Sequence, residues 1–172
     1  MIRPYIRFGN NKSQMSTIVI VGFPGAGKST IGRKLADKLN MTFIDLDLYI
    51  EEKYHTAIPL LFQKYGESAF RTLEYAALQE VLNTENAVIA TGGGTACHEN
   101  AMSLMNAHSH SVYLKLTEDQ LVDHLLHSKK KRPLTNHLSE PELREYVRKN
   151  LAAREPYYLQ AQEIWTLDSL PL

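Results

Sequence analysis

The stretch "TIVIVGFPGAGKSTIGRKLADKL", residues 17–39, decides how this chain is read. Its first five residues form a short apolar, β-branched run, as expected of a strand buried on both faces. In its last twelve residues, Ile31, Leu35 and Leu39 recur at helical spacing. Between the two runs, Gly22, Gly27, Lys28 and Ser29 satisfy the pattern G-x-x-x-x-G-K-[ST]. A glycine-rich turn between a buried strand and a helix has a physical use. Without side chains the backbone wraps closely, so successive N–H groups can point at phosphate oxygens. The following helix adds the positive end of its dipole. Gly25, Ala26, Gly27, Lys28, Ser29 and Thr30 are therefore the candidate nucleotide-binding residues. Lys28 is placed to reach the β- and γ-phosphates and Ser29 to ligate Mg²⁺. A turn without chemical consequence is the bland alternative, and the flanking strand and helix weigh against it.

Working outward, "TFIDLD" (42–47) reads as a second strand ending in carboxylates. Residues 48–83 read as mostly helical, with breaks around "TAIP" and at Gly66. Phe70, Leu73, Ala77 and Val81 share one face of the last of these helices. "AVIAT" (87–91) is a third buried strand, and three glycines follow it. "ENAMSLMNA" predicts a helix, "SVYLKL" a fourth strand and "EDQLVDHLL" a helix. "HSKKKRPLTNHL" is a polar loop. "EPELREYVRKNLAAREPYYLQA" predicts a helix broken at Pro156, and "EIWTL" a fifth strand. Strands alternating with helices argue for βαβ units. The fold class is α/β, a three-layer α/β/α arrangement around a five-stranded parallel sheet. Ligands of such folds sit beyond the carboxyl ends of the strands. Gly22–Ser29, Asp45 with Asp47, and Gly92–Gly94 all fall there, so three strand ends converge on one crevice.

Composition narrows the function. The 172 residues suit one compact domain, taken as 16–172, with residues 1–15 as a loose leader. That leader has two arginines but no continuous apolar core, which makes it a poor signal peptide. Lys plus Arg equals Asp plus Glu at 19 each, so no global field attracts a nucleic acid or a membrane. No apolar run reaches the length of a bilayer span. The single cysteine, Cys97, allows no internal disulfide and gives no sign of an oxidising compartment, so a cytoplasmic location is expected. His108 and His110 lack a carboxylate or cysteine spaced to complete a metal site. Trp165 on a strand reads most simply as core. Switch GTPases and motor ATPases share the cradle, but a base-specifying motif and a hydrophobic run ending in Asp-Glu are both missing.

Asp45 and Asp47 are two apart, and on a strand they would share one face. At a strand end they could hold Mg²⁺-bound water or accept a proton from a hydroxyl. Either could instead cap the following helix, and the two roles are compatible.

Six blocks in order then carry a resemblance: "GFPGAGKSTIG", "FIDLDLYIE", "YGESAFRTLE", "VIATGGGT", "KKKRPL" and "REPYY". Across residues 17–167 the chain resembles the shikimate kinase family. That resemblance implies a nucleoside-monophosphate-kinase-like fold, with a substrate-binding helical segment (48–83) and a mobile lid (128–138). It implies a monomer that transfers the γ-phosphoryl group of ATP to the 3-hydroxyl of shikimate with Mg²⁺. Asp47 then matches the aspartate that touches the shikimate hydroxyls and serves as candidate base. Asp45 matches the one near the Mg²⁺ shell, alongside Ser29. Arg71 and Arg154 match the pair that clamps the shikimate carboxylate, and Gly93 and Gly94 the turn that lines the substrate. Arg132 matches the lid arginine that reaches the phosphates, so Asp47, Lys28 and Arg132 form the expected catalytic set.

The residue chemistry agrees independently. A hydroxylated acid needs a cationic fork at one end, and the planar donors of arginine suit a carboxylate. Glu74, three residues after Arg71, is spaced to orient it. By composition alone "SKKKRPL" is a solvated basic loop, and its position between helices before Pro133 points to a phosphate-closing lid.

The family pattern is not followed everywhere. Seven residues before Arg132 the family commonly carries an arginine that stacks on adenine, and here Leu125 stands there. Apolar or less selective adenine packing is therefore expected. The family also usually continues past the fifth strand through an adenine-contacting loop and a final helix. This sequence stops at Leu172, which predicts a less enclosed adenine side. Two rivals stay open: a kinase for another polyol acid such as gluconate, and a binding module that has lost turnover.

Overall fold

The computed structural model describes residues 17–129, 132 and 134–172. The leader assigned to residues 1–15, and positions 130, 131 and 133 of the lid, lie outside the described residues. Five parallel strands form one sheet: β1 (Ile18–Val21), β2 (Thr42–Asp45), β3 (Ala87–Ala90), β4 (His110–Leu114) and β5 (Glu163–Trp165), in the order β2-β3-β1-β4-β5. The order reverses about the central strand β1, where doubly wound sheets place their ligands. All four residues of β1 are fully buried. Successive side chains of a strand point to opposite faces, so both faces of the sheet centre are covered.

Among the described residues seven α-helices complete the fold: α1 (Lys28–Leu39), α2 (Leu46–Tyr54), α3 (Ile58–Tyr65), α4 (Glu67–Val81), α5 (Ala101–His108), α6 (Glu118–Leu126) and α7 (Glu140–Tyr158). Their boundaries have local causes. His55 ends α2 in the left-handed conformation, and Pro59 stands in the first turn of α3. Gly66, at φ 83°, separates α3 from α4, so both breaks read from the sequence are present. Full capping boxes open α6, with Thr117 and Gln120, and α7, with Ser139 and Glu142.

Two readings need correction. Strand β2 stops at Asp45, so Asp45 and Asp47 do not share a strand face. The Asp45 carboxylate accepts the Leu48 N–H at 3.2 Å, which starts α2 at Leu46 and places Asp47 in its first turn. Helix α7 also continues through Pro156 to Tyr158. The ring forfeits the bond to the carbonyl of Ala152, but Ala152 is exposed to water, and Leu159 N–H still bonds Glu155 O at 2.9 Å.

Register brings the strand ends together. Ile18 pairs with Val88 on one side and His110 on the other. Thr91 donates its backbone N–H and its hydroxyl to Ile20 O at 3.1 and 3.0 Å. The turn after β1 and the glycines after β3 therefore leave the sheet side by side.

Candidate active site

The turn after β1 is built to present N–H groups. Gly25 and Gly27 adopt φ of 87° and 96°, which other residues reach only with strain. Helix α1 begins at Lys28 with no side-chain cap, so its first N–H groups are left for a ligand. The ammonium of Lys28 donates to Gly22 O at 2.8 Å and Phe23 O at 3.0 Å. Burial pushes its pKa down from 10.5 to about 8, opposed chiefly by the nearby charge of Asp47. One residue on, the Ser29 hydroxyl donates to the second oxygen of Asp45 at 2.5 Å. Asp45 therefore ties the start of α1 to the start of α2, which carries Asp47.

The three glycines after β3 form the joint of the site. A Cβ on Gly92 would lie 2.8 Å from a carboxylate oxygen of Asp47. On Gly93 it would strike the ring of Pro24 at 2.3 Å, and on Gly94 the guanidinium of Arg71 at 2.7 Å. Each glycine thus lets a different element approach: α2, the phosphate turn and α4. Arg71 is held in place by Glu74, whose carboxylate accepts from Arg71 Nη1 at 2.8 Å and from the Thr95 hydroxyl at 2.6 Å. Glu67 lies 3.6 Å from its other Nη, and Phe62 and Phe70 sit beneath the guanidinium. Glu74 therefore has the orienting position that its spacing implied.

Two clefts open on this framework. The larger, about 730 Å³, runs along the phosphate turn and includes Gly25–Ser29, Thr30, Asp45, Gly92 and Gly93. His124, His127 and Leu167 also line it. The second, about 500 Å³, is lined by Phe23, Glu51, Ile58, Leu134, Tyr146 and Arg154 among others. Pro24, Asp47, Leu48 and Arg132 border both. A carboxylate and a guanidinium thus stand where the two spaces meet. Burial lowers the pKa of Arg132 and Asp47 raises it again, so the two charges feel each other across the junction. The Nε atoms of Arg71 and Arg132 are buried without a hydrogen-bond partner among the described residues.

Not every expected residue lies on a cleft wall. Arg154 lines the second cleft, its guanidinium 5.7 Å from the Phe23 ring centre. Arg71 lines a much smaller cavity shared with Glu74, Thr95 and His98, and Gly94 lies against its guanidinium. Half-buried Cys97 feels both arginines, yet burial outweighs them and pushes its thiol pKa up. Leu125 packs onto Gly25 and lines the second cleft, while its neighbour His124 faces the first. Successive helical residues point about 100° apart, so 124 and 125 face different clefts. His127 and Leu167 belong to no motif, and His124 stands out in the sequence only as the neighbour of Leu125.

A parallel sheet with a phosphate cradle, and a second cleft meeting it at an aspartate and an arginine, defines a P-loop kinase for a small molecule. The family model for shikimate kinase matches residues 24–170. A shikimate kinase of Bacteroides thetaiotaomicron is 42% identical over 156 residues, covering 91% of this chain and 89% of that protein. The crystal structure of shikimate kinase from that organism superposes with a TM-score of 0.86, covering 88% and 86% of the two chains at 42% identity. Shikimate kinase from Acinetobacter baumannii in complex with shikimate gives a TM-score of 0.77 at 34% identity, over 88% and 83%. The chain belongs to the shikimate kinase family.

Proposed function

We propose that this protein phosphorylates the 3-hydroxyl of shikimate with ATP, giving shikimate 3-phosphate and ADP on the route to the aromatic amino acids. The observation that carries the assignment is the shared wall: Asp47 and Arg132 border both the phosphate cleft and the neighbouring one. ATP occupies the larger cleft, with its phosphates on Gly25, Ala26, Gly27, Lys28, Ser29 and Thr30. Shikimate lies where the smaller one meets the glycine turn, its carboxylate toward Arg154 and Arg71 and its ring against Gly93 and Gly94.

The work of the residues follows from placement. Asp47 orients the attacking hydroxyl and takes its proton as the new bond to phosphorus forms. Charge builds on the oxygens of the transferred group, and Lys28 and Arg132 stabilise it from two sides. Arg154 and Arg71 fix the far end of the acceptor, so the hydroxyl is presented in line.

Mg²⁺ fits the donor set. Among the described residues no group of three or more His, Cys, Asp or Glu could hold a metal. One hydroxyl, Ser29, and one carboxylate, Asp45, suit an ion that keeps waters and binds phosphate oxygens. Bound there, it would neutralise phosphate charge.

Residues 48–83 act as the substrate-binding helical segment and 128–138 as the lid, which is supported by the position of Arg132 over Gly25. No helix among the described residues is long and apolar enough to cross a membrane. We take the enzyme to act as a cytoplasmic monomer.

The test is ADP release, coupled to a spectrophotometric readout, with shikimate, gluconate and quinate in turn. Shikimate-dependent release is expected, with little or none from the other two. Equal release with gluconate would move the acceptor class, and none with any acceptor would leave a binding module.

A further inference from the structure

Tyr158, near the end of α7, has no part in the chemistry above, yet it is fully buried and its hydroxyl donates to Gly93 O at 2.5 Å. Its ring packs on Tyr113 with centroids 5.2 Å apart, and the Tyr113 hydroxyl donates to Glu155 at 3.2 Å. Burying a phenol is favourable only when its hydroxyl finds a partner, and phenylalanine would fill the same volume without that requirement. The partner here is a carbonyl of the turn that joins the two clefts. Tyr158 also stands four residues after Arg154, on the same face of the helix. Burial raises the pKa of the phenol and keeps it protonated, and the nearby charge of Arg154 opposes that shift.

We propose that Tyr158 is a positioning residue for acceptor binding, whose hydroxyl holds the Gly93–Gly94 peptide against α7, the helix that carries Arg154. The proposal rests on the assignment of Arg154 to the acceptor carboxylate. A phenol has one proton to give and two lone pairs to offer. The proton goes to Gly93 O. In a trans peptide the carbonyl and the next N–H point in opposite directions. Holding Gly93 O toward α7 therefore turns the Gly94 N–H away from that helix. One hydroxyl thus sets the aim of a backbone donor in the turn and the distance of that turn from the helix that carries Arg154.

The test compares the full-length enzyme with Tyr158→Phe, Arg154→Ala and the double variant. Each is assayed for KM of shikimate, KM of ATP and kcat, with the melting temperature measured alongside. Tyr158→Phe is expected to raise the shikimate KM roughly three- to tenfold, the worth of one neutral hydrogen bond, and to leave the ATP KM within about twofold. In the Arg154→Ala background it should add little, because the spacing it sets is that between the turn and this side chain. A silent Tyr158→Phe, an equal rise in both KM values, or full additivity with Arg154→Ala would overturn the proposal. If Arg154→Ala itself leaves the shikimate KM unchanged, the assignment of the carboxylate site falls and takes this proposal with it. Should Tyr158→Phe unfold at assay temperature, calorimetric titration of shikimate in the cold makes the same comparison.

Discussion

Asp47 and Arg71 reach the same turn of three glycines from different helices, Asp47 against Gly92 and Arg71 against Gly94. The candidate base and one arm of the carboxylate clamp are therefore set by a single piece of backbone. Any change in that turn should move both, and changes confined to one side should separate them.

Asp47→Asn keeps the volume and removes the proton acceptor. Turnover should fall at least about a hundredfold, as when a positioned base is lost. ATP should still bind, and more tightly if anything, because an anion beside the phosphates has gone. Steady-state ADP release and calorimetric titration with ATP check the two halves. Near wild-type turnover would remove Asp47 from its role.

Gly94→Ala should act on the acceptor side alone. The new methyl would lie within 3.1 Å of three guanidinium atoms of Arg71. That group cannot yield freely, because Glu74 holds it at 2.8 Å and two phenyl rings lie beneath it. We expect the shikimate KM to rise about tenfold or more, the ATP KM to stay near its wild-type value, and about 1–3 kcal/mol of stability to be lost to overpacking. An unchanged shikimate KM would show that Arg71 does not hold the acceptor.

The buried ammonium of Lys28 makes ATP binding depend on pH. Its pKa is about 8 in the fold, against 10.5 when free. Between those values the unfolded chain binds more protons, so this group makes the fold more stable as pH rises from about 8 to 10.5. Below about 8 it costs the fold about 3 kcal/mol, at 1.36 kcal/mol per unit. Bound phosphates favour the charged form and raise the pKa again. ATP binding near pH 9 should therefore take up a proton, and affinity should weaken above about pH 8 by up to about tenfold per unit. Titration calorimetry at pH 9, in buffers of different ionisation enthalpy, measures the uptake. A flat affinity and no buffer dependence would contradict it.

Much of this was legible because motif and element coincide. The cradle sits between a buried strand and a helix, and spacing alone fixes Lys28, Ser29 and the Arg71–Glu74 pair. What the sequence hid was mostly angular. Asp45 and Asp47 read as one strand face until a cap, formed by Asp45 itself, turned the chain into α2. Pro156 read as a break because its cost is easily seen, whereas the solvent that relieves the Ala152 carbonyl is not. Arg71 and Arg154 read as one fork, yet of the two only Arg154 lines the second cleft, because they come from different helices, α4 and α7, and no sequence pattern encodes where two such side chains meet. Tyr158 was quoted within a motif, but its bond to Gly93 spans 65 residues and has no local signature.

His124 gives the last prediction, on the nucleotide side. Its Nδ1 lies 3.0 Å from Gly25 O, and a carbonyl only accepts, so that nitrogen carries the proton. The ring is thereby pinned to the phosphate turn while it lines the cleft with His127 and Leu167. His124→Ala removes both the anchor and the wall. The ATP KM should rise roughly three- to tenfold, as expected for one neutral hydrogen bond, with the shikimate KM unchanged. Leu125→Ala is the informative control. Leu125 touches Gly25 but lines the second cleft, so its loss should shift both KM values together. If His124→Ala leaves the ATP KM alone and Leu125→Ala raises only that value, the purine end of the cleft is formed by position 125 after all, and the helical rotation inferred for α6 is wrong.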